Sequence, residues 1–393
     1  METFGRYELL RRLANGGMGQ IDLARQKGPV GFQKLLVVKR ILPHLSEEDE
    51  FLKMFLDEAR IAALLNHPNI AQTYESGDVD GVYFMAMEYV QGEPISRVVR
   101  KAHETLGGMP TALIVRIVAD AAGALDYVHA ARSPSGRPLG LIHRDVSPQN
   151  VMVSFHGTVK LIDFGVAKAS NKLSMTSVGS IKGKYAYMSP EQATGQPLDG
   201  RSDIFGLSTI LYEQLTGARL FKRDTDQGTL KAVVGHRVPP PSSVVDGIPE
   251  GLDEVVLKGL AKHRDERYQT ASEFQLALEE VLMHARLPGS PGHLAAFMRE
   301  LYARELEEDR FATEPTVIFS VPDALRQGGT DSGTGSRSVS APGKVSTGSR
   351  GGTSRRASGS NPGTGPGAPT AQGRKSPAAA EAPRAPKSSR RRD

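Results

Sequence analysis

The stretch that decides the fold reads HRDVSPQN at residues 143–150, and DFG follows at residues 163–165. In the first motif, Asp145 can act as a base beside a hydroxyl group, and Asn150 follows five residues later. Asp163 is a second carboxylate, on the turn after an apolar run. Mg2+ prefers hard oxygen ligands and shares its remaining positions with phosphates and water. Each residue alone has a plainer explanation as a cap or turn former, but the combination predicts a phosphoryl-transfer site.

A glycine-rich turn lies far upstream, at residues 15–19. Gly16, Gly17 and Gly19 stand between two strand-like runs, where residues without Cβ atoms let the backbone close over phosphate groups. A dinucleotide-binding loop is excluded because a second strand follows instead of a helix, and a Walker loop is excluded because no Gly-Lys-Ser/Thr closes the turn. The turn by itself is a weak signal, since most glycine-rich turns are only turns.

A lysine and a glutamate follow at a spacing that suits phosphate binding. Lys39 comes directly after the apolar run at residues 35–38, which is predicted to be a strand. Glu58 lies in a helix that is predicted over residues 47–65. A pair between them would hold the lysine ammonium against the α- and β-phosphates of a nucleotide. In isolation each would more often be a solvated charge, so the pair depends on the other motifs for its meaning.

Together these motifs resemble the protein-kinase signature, and in particular that of the eukaryotic-like (Hanks-type) bacterial serine/threonine protein kinases. The sequence SPE at residues 189–191 is similar to the family's Ala-Pro-Glu element. Asp203 and Arg267 resemble the family's buried aspartate and its glutamate-pairing arginine. The resemblance covers about residues 7–285. It implies an α+β, two-lobed protein-kinase fold with a small β-rich N-lobe and a larger helical C-lobe.

The resemblance also implies an activity, the ATP-dependent transfer of the γ-phosphate to serine or threonine hydroxyls of protein substrates. The cofactors would be ATP and Mg2+, with Mn2+ as a substitute. Asp145 would orient the acceptor hydroxyl, and Lys39 with Glu58 would position the phosphates. Asn150 and Asp163 would hold the metal. The further residues implied to contact the nucleotide are Leu13, Gly16, Gly17, Gly19, Ile21, Val37, Met87, Glu88, Val90 and Met152.

Two positions depart from the family's pattern in a way that concerns the chemistry. Members usually have a lysine two residues after the catalytic aspartate, where this chain has Ser147. They usually have a threonine seven residues before the glutamate of the Ala-Pro-Glu element, where this chain has Lys184. We predict that Lys184 and Ser147 have exchanged roles, which conserves the charge that stabilises the transition state. The alternative is that Lys184 contacts only solvent or substrate.

The segment between DFG and SPE is rich in hydroxyl groups and predicts autophosphorylation. Thr176 is the first candidate, and Ser174 and Ser177 follow closely. The resemblance implies that Arg144 receives a phosphate on this segment and thereby orders it. Serine and threonine are also common in any exposed loop, so the sequence leaves the choice of site open.

Other classes of protein on the same fold remain as alternatives. A pseudokinase-type scaffold would bind nucleotide and partners without efficient catalysis, but the five residues assigned to phosphates, base and metal are all retained. A small-molecule phosphotransferase is disfavoured by the SPE element, Asp203 and Arg267, which resemble a platform for protein substrates. Tyrosine specificity is less favoured, because tyrosine kinases of the family usually have arginine or alanine near Ser147.

Composition divides the 393 residues unevenly. Residues 326–393 contain no Leu, Ile, Met, Phe or Tyr, so they bury too little apolar surface to offset the entropy of ordering. We predict a catalytic domain at residues 1–285, with an N-lobe over about 1–88 and a C-lobe over about 92–285. A helical extension or linker at 286–325 and a disordered basic tail at 326–393 would follow.

The tail also dominates the charge of the chain. It has thirteen Lys+Arg against three acidic residues, a net charge of +10, whereas the whole chain is +5. We expect a flexible tether that contacts polyanions weakly. Sequence-specific nucleic-acid binding is not expected, because no aromatic side chain interleaves these charges.

The sequence also bears on the cellular compartment in which the protein is expected. There is no cysteine, which excludes disulfides and thiolate metal sites. The first ten residues lack the apolar run of a signal peptide, and no stretch approaches the roughly 18 apolar residues that a membrane span needs. We expect a soluble, cytoplasmic protein.

Overall fold

The computed structural model of the chain describes residues 2–15, 19–29, 32–42, 48–133, 135–164 and 184–312. Within these ranges strands occur mainly in the first part and helices in the remainder. This order matches the predicted α+β architecture. The predicted tail at residues 326–393 lies outside the described residues.

The N-lobe is built on a six-stranded antiparallel sheet with the strand order β1-β2-β3-β4-β6-β5. Successive side chains of a strand point to opposite faces of a sheet, so each strand can contribute to two apolar surfaces. The strands are β1 Glu2–Phe4, β2 Tyr7–Asn15, β3 Gly19–Lys27, β4 Gln33–Ile41, β5 Thr73–Val79 and β6 Val82–Glu88.

Strand β4 separates two small apolar clusters. Leu36 and Val38 belong to a cluster on one face of the sheet. Ile41 belongs to the other cluster, which includes Phe55 of helix α1, Asp49–Leu64. Because residues two apart share a face, Lys39 lies on the same face as Ile41 and the helix. The strand pattern therefore directs the lysine toward α1.

The C-lobe surrounds a single large apolar core. Its helices are α2 Ile95–Leu106, α3 Thr111–His129, α4 Pro190–Ala193, α5 Arg201–Thr216, α6 Asp226–Gly235, α7 Leu252–Gly259, α8 Ala271–His284, α9 Pro291–Leu301 and α10 Ala303–Ala312. Helix α5 is buried from Ser202 to Leu215, so it is the central element of this lobe. A helix that is buried all round needs neighbours on every side, and α3, α7 and α8 pack against it.

A small sheet in the order β7-β8-β9 connects this core to the site. Strands β8, Val151–Ser154, and β9, Val159–Leu161, form a hairpin that pairs with β7, Gly92–Pro94. The Ile162 amide donates to the Asn150 carbonyl oxygen at 3.0 Å, which closes the open end of the hairpin. This end therefore presents Asn150 and Asp163 side by side.

The predicted fold class is confirmed, with corrections to individual elements. The helix predicted over 47–65 spans Asp49–Leu64, and the described part of the segment expected to be a helical extension or linker contains two helices, α9 and α10. Helices α2 and α6 were not predicted. Within the described ranges, no helix is both long enough and apolar enough to cross a membrane.

Candidate active site

Lys39 lies at the centre of an ion-pair network. Its Nζ is 2.7 Å from Glu58 Oε1 and 3.2 Å from Asp163 Oδ1. Strand β4 supplies the lysine, helix α1 the glutamate, and the residue after Ile162 the aspartate. The side chains of Lys39 and Glu58 are 14% and 10% exposed, so water screens the pair only weakly. The structure thus brings the predicted pair together and adds Asp163 as a second partner of the lysine.

The charges of this network alter each other's protonation. Burial by itself lowers the pKa of the Lys39 ammonium, but the carboxylates of Asp163 and Glu58 outweigh it and hold that pKa above its usual range. Burial raises the pKa of the Glu58 carboxyl, against the opposing effect of Lys39. The lysine therefore stays charged throughout the physiological pH range, as an anion-binding group must.

The catalytic-loop residues Asp145 and Asn150 are held against each other. Asn150 Nδ2 donates to the backbone oxygen of Asp145 at 2.8 Å and is 3.3 Å from Asp145 Oδ2. Asn150 is 6% exposed, so its amide has a fixed orientation. The five-residue spacing thus places a carboxylate and an amide in one rigid unit.

The carboxylate of Asp203 on helix α5 fixes the backbone of the loop that contains Asp145 and Asn150. Its carboxylate accepts from the His143 and Arg144 amides, each at 2.8 Å, and its Oδ2 is 2.7 Å from His129 Nε2. Arg144 has a φ of 64°, a conformation that costs about 1–3 kcal/mol and persists only where surrounding contacts enforce it. Asp203 is 2% exposed, so a buried charge enforces the geometry just before Asp145.

A second buried ion pair anchors the SPE element. Arg267 donates from Nη1 and Nη2 to the two carboxylate oxygens of Glu191, at 2.7 and 2.8 Å, and Ser202 Oγ donates to Glu191 Oε1 at 2.7 Å. Burial alone would raise the pKa of Glu191, but the bonds from Arg267 and Ser202 lower it to about 2. The predicted pairing of Arg267 with Glu191 is present in the structure.

The residues proposed for the metal meet the needs of Mg2+. Because the Asn150 Nδ2 donates to Asp145, its amide oxygen is the atom left for a cation. Asp163 adds carboxylate oxygens, and its side chain is 32% exposed. The described part of the chain has no cluster of three or more His, Cys, Asp or Glu that could hold a metal alone. Two hard oxygen ligands suit an ion that completes its shell with phosphates and water.

The residues implied to contact the nucleotide lie on the elements around this network. Val37 on β4 pairs with Met87 on β6, and Met152 lies on β8. The Glu88 amide donates to the Gln72 carbonyl at 2.8 Å, so this amide already has a partner within the chain. The remaining positions are Val90, which is 8% exposed, Leu13 on β2, which is 38% exposed, and Ile21 on β3, opposite Ala14.

Gly19 has a structural role that the sequence did not predict. A Cβ atom at this position would lie 2.4 Å from the Arg40 carbonyl oxygen of the neighbouring strand. The close pairing of β3 with β4 therefore requires glycine here, whether or not a phosphate approaches. Gly16 and Gly17 lie outside the described residues.

An ion pair that no sequence motif predicts lies beside the segment that joins the lobes. Lys160 Nζ on β9 is 2.8 Å from Glu88 Oε2 at the end of β6, and the same oxygen accepts from the Gln72 amide at 3.1 Å. The pair links the two lobes, with 15% and 25% of the side chains exposed. The residues are 72 positions apart, and no local pattern joins them, so only the fold reveals the contact.

Of the two positions that depart from the family pattern, the structure describes the side chain of Ser147 but not that of Lys184. Ser147 is 1% exposed, and within the described part of the chain its Oγ has no hydrogen-bond partner. Lys184 begins a short 3-10 helix at Lys184–Tyr187, but its side chain lies outside the described atoms. The predicted phosphorylation sites Ser174, Thr176 and Ser177 also lie outside the described residues. The exchange of Ser147 and Lys184 stays a prediction.

Comparison with known proteins settles the family. The model of the protein kinase domain matches residues 7–284. The chain belongs to the protein kinase family. Its motifs and relatives place it with the Hanks-type bacterial kinases.

The chain is similar to "Tyrosine-protein kinase MasK" of Myxococcus xanthus, 41% identical over 319 residues, which cover 81% of the chain and 49% of the relative. It is 37% identical to "Serine/threonine-protein kinase PknB" of Mycobacterium tuberculosis, covering 70% and 43%. The chain thus spans about half the length of the curated relatives it matches. A match over 81% of the chain necessarily includes residues 286–312, so the likeness to MasK extends through α9 and α10.

The fold is also similar to a solved structure. The crystal structure of the PknI kinase domain of M. tuberculosis superimposes with a TM-score of 0.54 at 30% identity, over 72% of this chain and 98% of that domain. The shared region accounts for nearly all of that domain. The kinase fold of the described lobes is therefore that of a bacterial kinase domain.

Proposed function

We propose that the chain transfers the γ-phosphate of ATP to serine or threonine hydroxyls of protein substrates. The observation that most supports this function is Lys39 held between Glu58 and Asp163. A charged, oriented ammonium beside a carboxylate that can bind metal is what positioning of a triphosphate requires. Membership of the protein kinase family supports the same conclusion.

Each residue of the network would have a separate role. Lys39 would bind the α- and β-phosphates, and Glu58 would keep its ammonium in place. Asp145 would accept a hydrogen bond from the acceptor hydroxyl, orient it and take its proton during transfer. Asn150 and Asp163 would hold Mg2+, which when bound neutralises phosphate charge.

The residue type that accepts the phosphate needs a direct test, because the relatives differ in their names. One is named a tyrosine kinase and another a serine/threonine kinase. We would incubate the full chain with Mg-ATP and a mixed set of Ser, Thr and Tyr peptides, and identify the phosphorylated residues by mass spectrometry. Phosphate on serine or threonine supports the proposal. Phosphate on tyrosine alone would overturn the specificity and keep the kinase assignment.

Autophosphorylation is part of the same proposal. Thr176, Ser174 and Ser177 are the expected sites, and Arg144, whose backbone Asp203 anchors, would pair with the phosphate. Triple substitution of these three sites by alanine should remove autophosphorylation of the segment and leave nucleotide binding intact. Phosphate confined to other residues would contradict this assignment. A chain that binds Mg-ATP but transfers no phosphate to itself or to any substrate would favour a scaffold.

The exchange of Ser147 and Lys184 can be tested by rescue. Lys184→Ala should lower turnover about tenfold or more, equivalent to one or two kcal/mol of transition-state stabilisation. Lys184→Arg is the charge-preserving control and should lose less. If the lysine supplies charge that the family's usual position lacks, Lys184→Thr combined with Ser147→Lys should recover activity relative to Lys184→Thr alone. Unchanged turnover in Lys184→Ala would refute the exchange.

A further inference from the structure

Two helices lie beyond the matched kinase domain, and the first of them, α9, is packed into the C-lobe. Leu294, Met298 and Leu301 of α9 are buried, and Tyr302 at its end is 4% exposed. Helix α9 contacts both α2 and α3. The segment is therefore a folded part of the lobe.

The side chains of α2 also hold the end of α9. Lys101 Nζ of α2 lies 4.1 Å from the centre of the Tyr302 ring and forms an ion pair with Glu305 of α10. A cation over an aromatic face is favourable, and burial makes it more so. These contacts fix the Tyr302 ring relative to the helix that follows the connection between the lobes.

The same segment rests directly on the turn of the β8–β9 hairpin. The Tyr302 ring is 5.4 Å from the ring of Phe155, a residue of that turn. Gly157 of the turn has a φ of 80°, and a Cβ atom there would lie 2.2 Å from the Pro291 carbonyl oxygen and 2.7 Å from the Ala295 amide nitrogen. The first turn of α9 thus packs on the hairpin as closely as glycine permits.

The opposite end of this hairpin bears the proposed metal ligands. Asn150 immediately precedes β8, and Asp163 follows β9 by two residues. Strand β8 has four residues, so its first and last Cα atoms are about 10 Å apart at roughly 3.3 Å per residue. A paired hairpin this short is a stiff connection, so a displacement at its turn moves both ligands together.

We infer that α9 and α10 position the metal ligands Asn150 and Asp163 by bracing the hairpin turn through Tyr302 and Gly157. This inference rests on the proposed use of a Mg-nucleotide. The brace supplies no ligand itself, and its residues are positioning residues. It should raise the contribution of Mg2+ to nucleotide affinity, because ligands fixed in advance lose less freedom when the ion binds. The match to MasK spans this segment.

The test compares ADP affinity of the full chain in Mg2+ and in EDTA, by titration calorimetry. The ratio of the two dissociation constants measures what the metal adds to binding. In Gly157→Ala we expect this ratio to fall about threefold to tenfold, below the 10- to 100-fold typical of groups that bond a ligand directly. The matched control is Gly81→Ala, since Gly81 has the same φ of 80° in a β-turn and nothing within 4 Å of a Cβ atom.

A second pair of variants acts without backbone strain. Tyr302→Ala removes the ring between Phe155 and Lys101 and should lower the ratio as Gly157→Ala does. Tyr302→Phe keeps the ring and removes only a hydroxyl that has no hydrogen-bond partner within the described residues, so it should match the unaltered chain. Melting temperatures show which variants are folded. If Gly157→Ala or Tyr302→Ala does not fold, Tyr302→Leu takes its place in the comparison of the ratios.

The outcomes separate this inference from the proposed function. A reduced ratio in Gly157→Ala and Tyr302→Ala, with both controls unchanged, supports the brace. An unchanged ratio in both, or an equal loss in Gly81→Ala, overturns it and leaves the proposed function standing. An unaltered chain that binds no nucleotide, with or without Mg2+, overturns the proposed function and the brace with it.

Discussion

Lys39 and Asp145 reach the site from two lobes that are held together in different ways. The N-lobe has a small apolar cluster on each face of its sheet, whereas the C-lobe has one large core. Lys39 is oriented by ion pairs between side chains from separate elements. Asp145 lies in a loop whose backbone is fixed by the buried carboxylate of Asp203. Side chains can change partners without unfolding, but a close-packed core resists displacement.

This contrast predicts that substitutions in the N-lobe part of the site affect turnover, while those in the C-lobe part affect stability as well. The N-lobe is then the part that a regulator or a bound nucleotide could adjust. The C-lobe part would be ready for catalysis whenever the chain is folded.

The largest effect is expected from Lys39→Met. Loss of the ammonium should lower kcat/KM about a hundredfold or more, because it removes charge stabilisation at the phosphates. The variant should remain folded, because the buried Glu58 carboxyl can take up a proton when it loses its partner, and circular dichroism would check this. The matched control is Lys34→Met on the same strand, whose ammonium lies over the Tyr74 ring and should not affect turnover. Equal losses in the two variants would contradict the assignment of Lys39.

The next largest effect, a loss of stability together with a loss of turnover, is expected from Asp203→Asn. The amide accepts backbone hydrogen bonds less strongly than a buried carboxylate, so unfolding should cost about 2 to 3 kcal/mol less. Urea denaturation would measure this change, and turnover should fall with it. The control is Asp265→Asn, which removes an ion-pair partner of Arg201 that is 86% exposed and should change stability by about 0.5 kcal/mol or less. A fully stable Asp203→Asn would remove the contrast between the lobes.

A smaller, pH-dependent effect is expected at Glu191. Its pKa is lowered from 4.5 to about 2 in the folded chain, so the folded state binds fewer protons than the unfolded state. The stability that Glu191 contributes is therefore complete above about pH 4.5 and is lost as the pH falls toward 2. Denaturant titrations should show that Glu191→Gln is less stable near neutral pH and that its deficit shrinks across this window. A deficit in stability that does not change with pH would contradict the attribution of the low Glu191 pKa to the bonds from Arg267 and Ser202.

The sequence predicted the fold class and the pairs that the family's motifs imply, Lys39 with Glu58 and Arg267 with Glu191. Asp145 and Asn150 are five residues apart in one loop, and their hydrogen bond follows from that spacing. Helix α2 could also have been found, because Ile95, Val98, Val99 and Ala102 recur at helical spacing and are all buried.

Other features depend on chain segments that only the fold brings together. The Lys160–Glu88 pair joins strands from the two lobes, and Tyr302 meets Phe155 across about 150 residues of sequence. Gly19 illustrates the same limit in another way. Its position in a glycine-rich turn suggested phosphate binding, whereas its neighbour in the structure is the Arg40 carbonyl oxygen.

The most direct test of the central claim is phosphate transfer by the full chain, compared with Asp145→Asn. Both would be incubated with Mg-ATP and a Ser/Thr peptide, and intact-mass spectrometry would follow phosphate on the chain and on the peptide. We predict phosphate on both in the unaltered chain and a rate about a thousandfold lower in Asp145→Asn, with ATP binding retained in each. Equal transfer by the two chains would contradict the role of Asp145, and absence of transfer by both would contradict the kinase function itself.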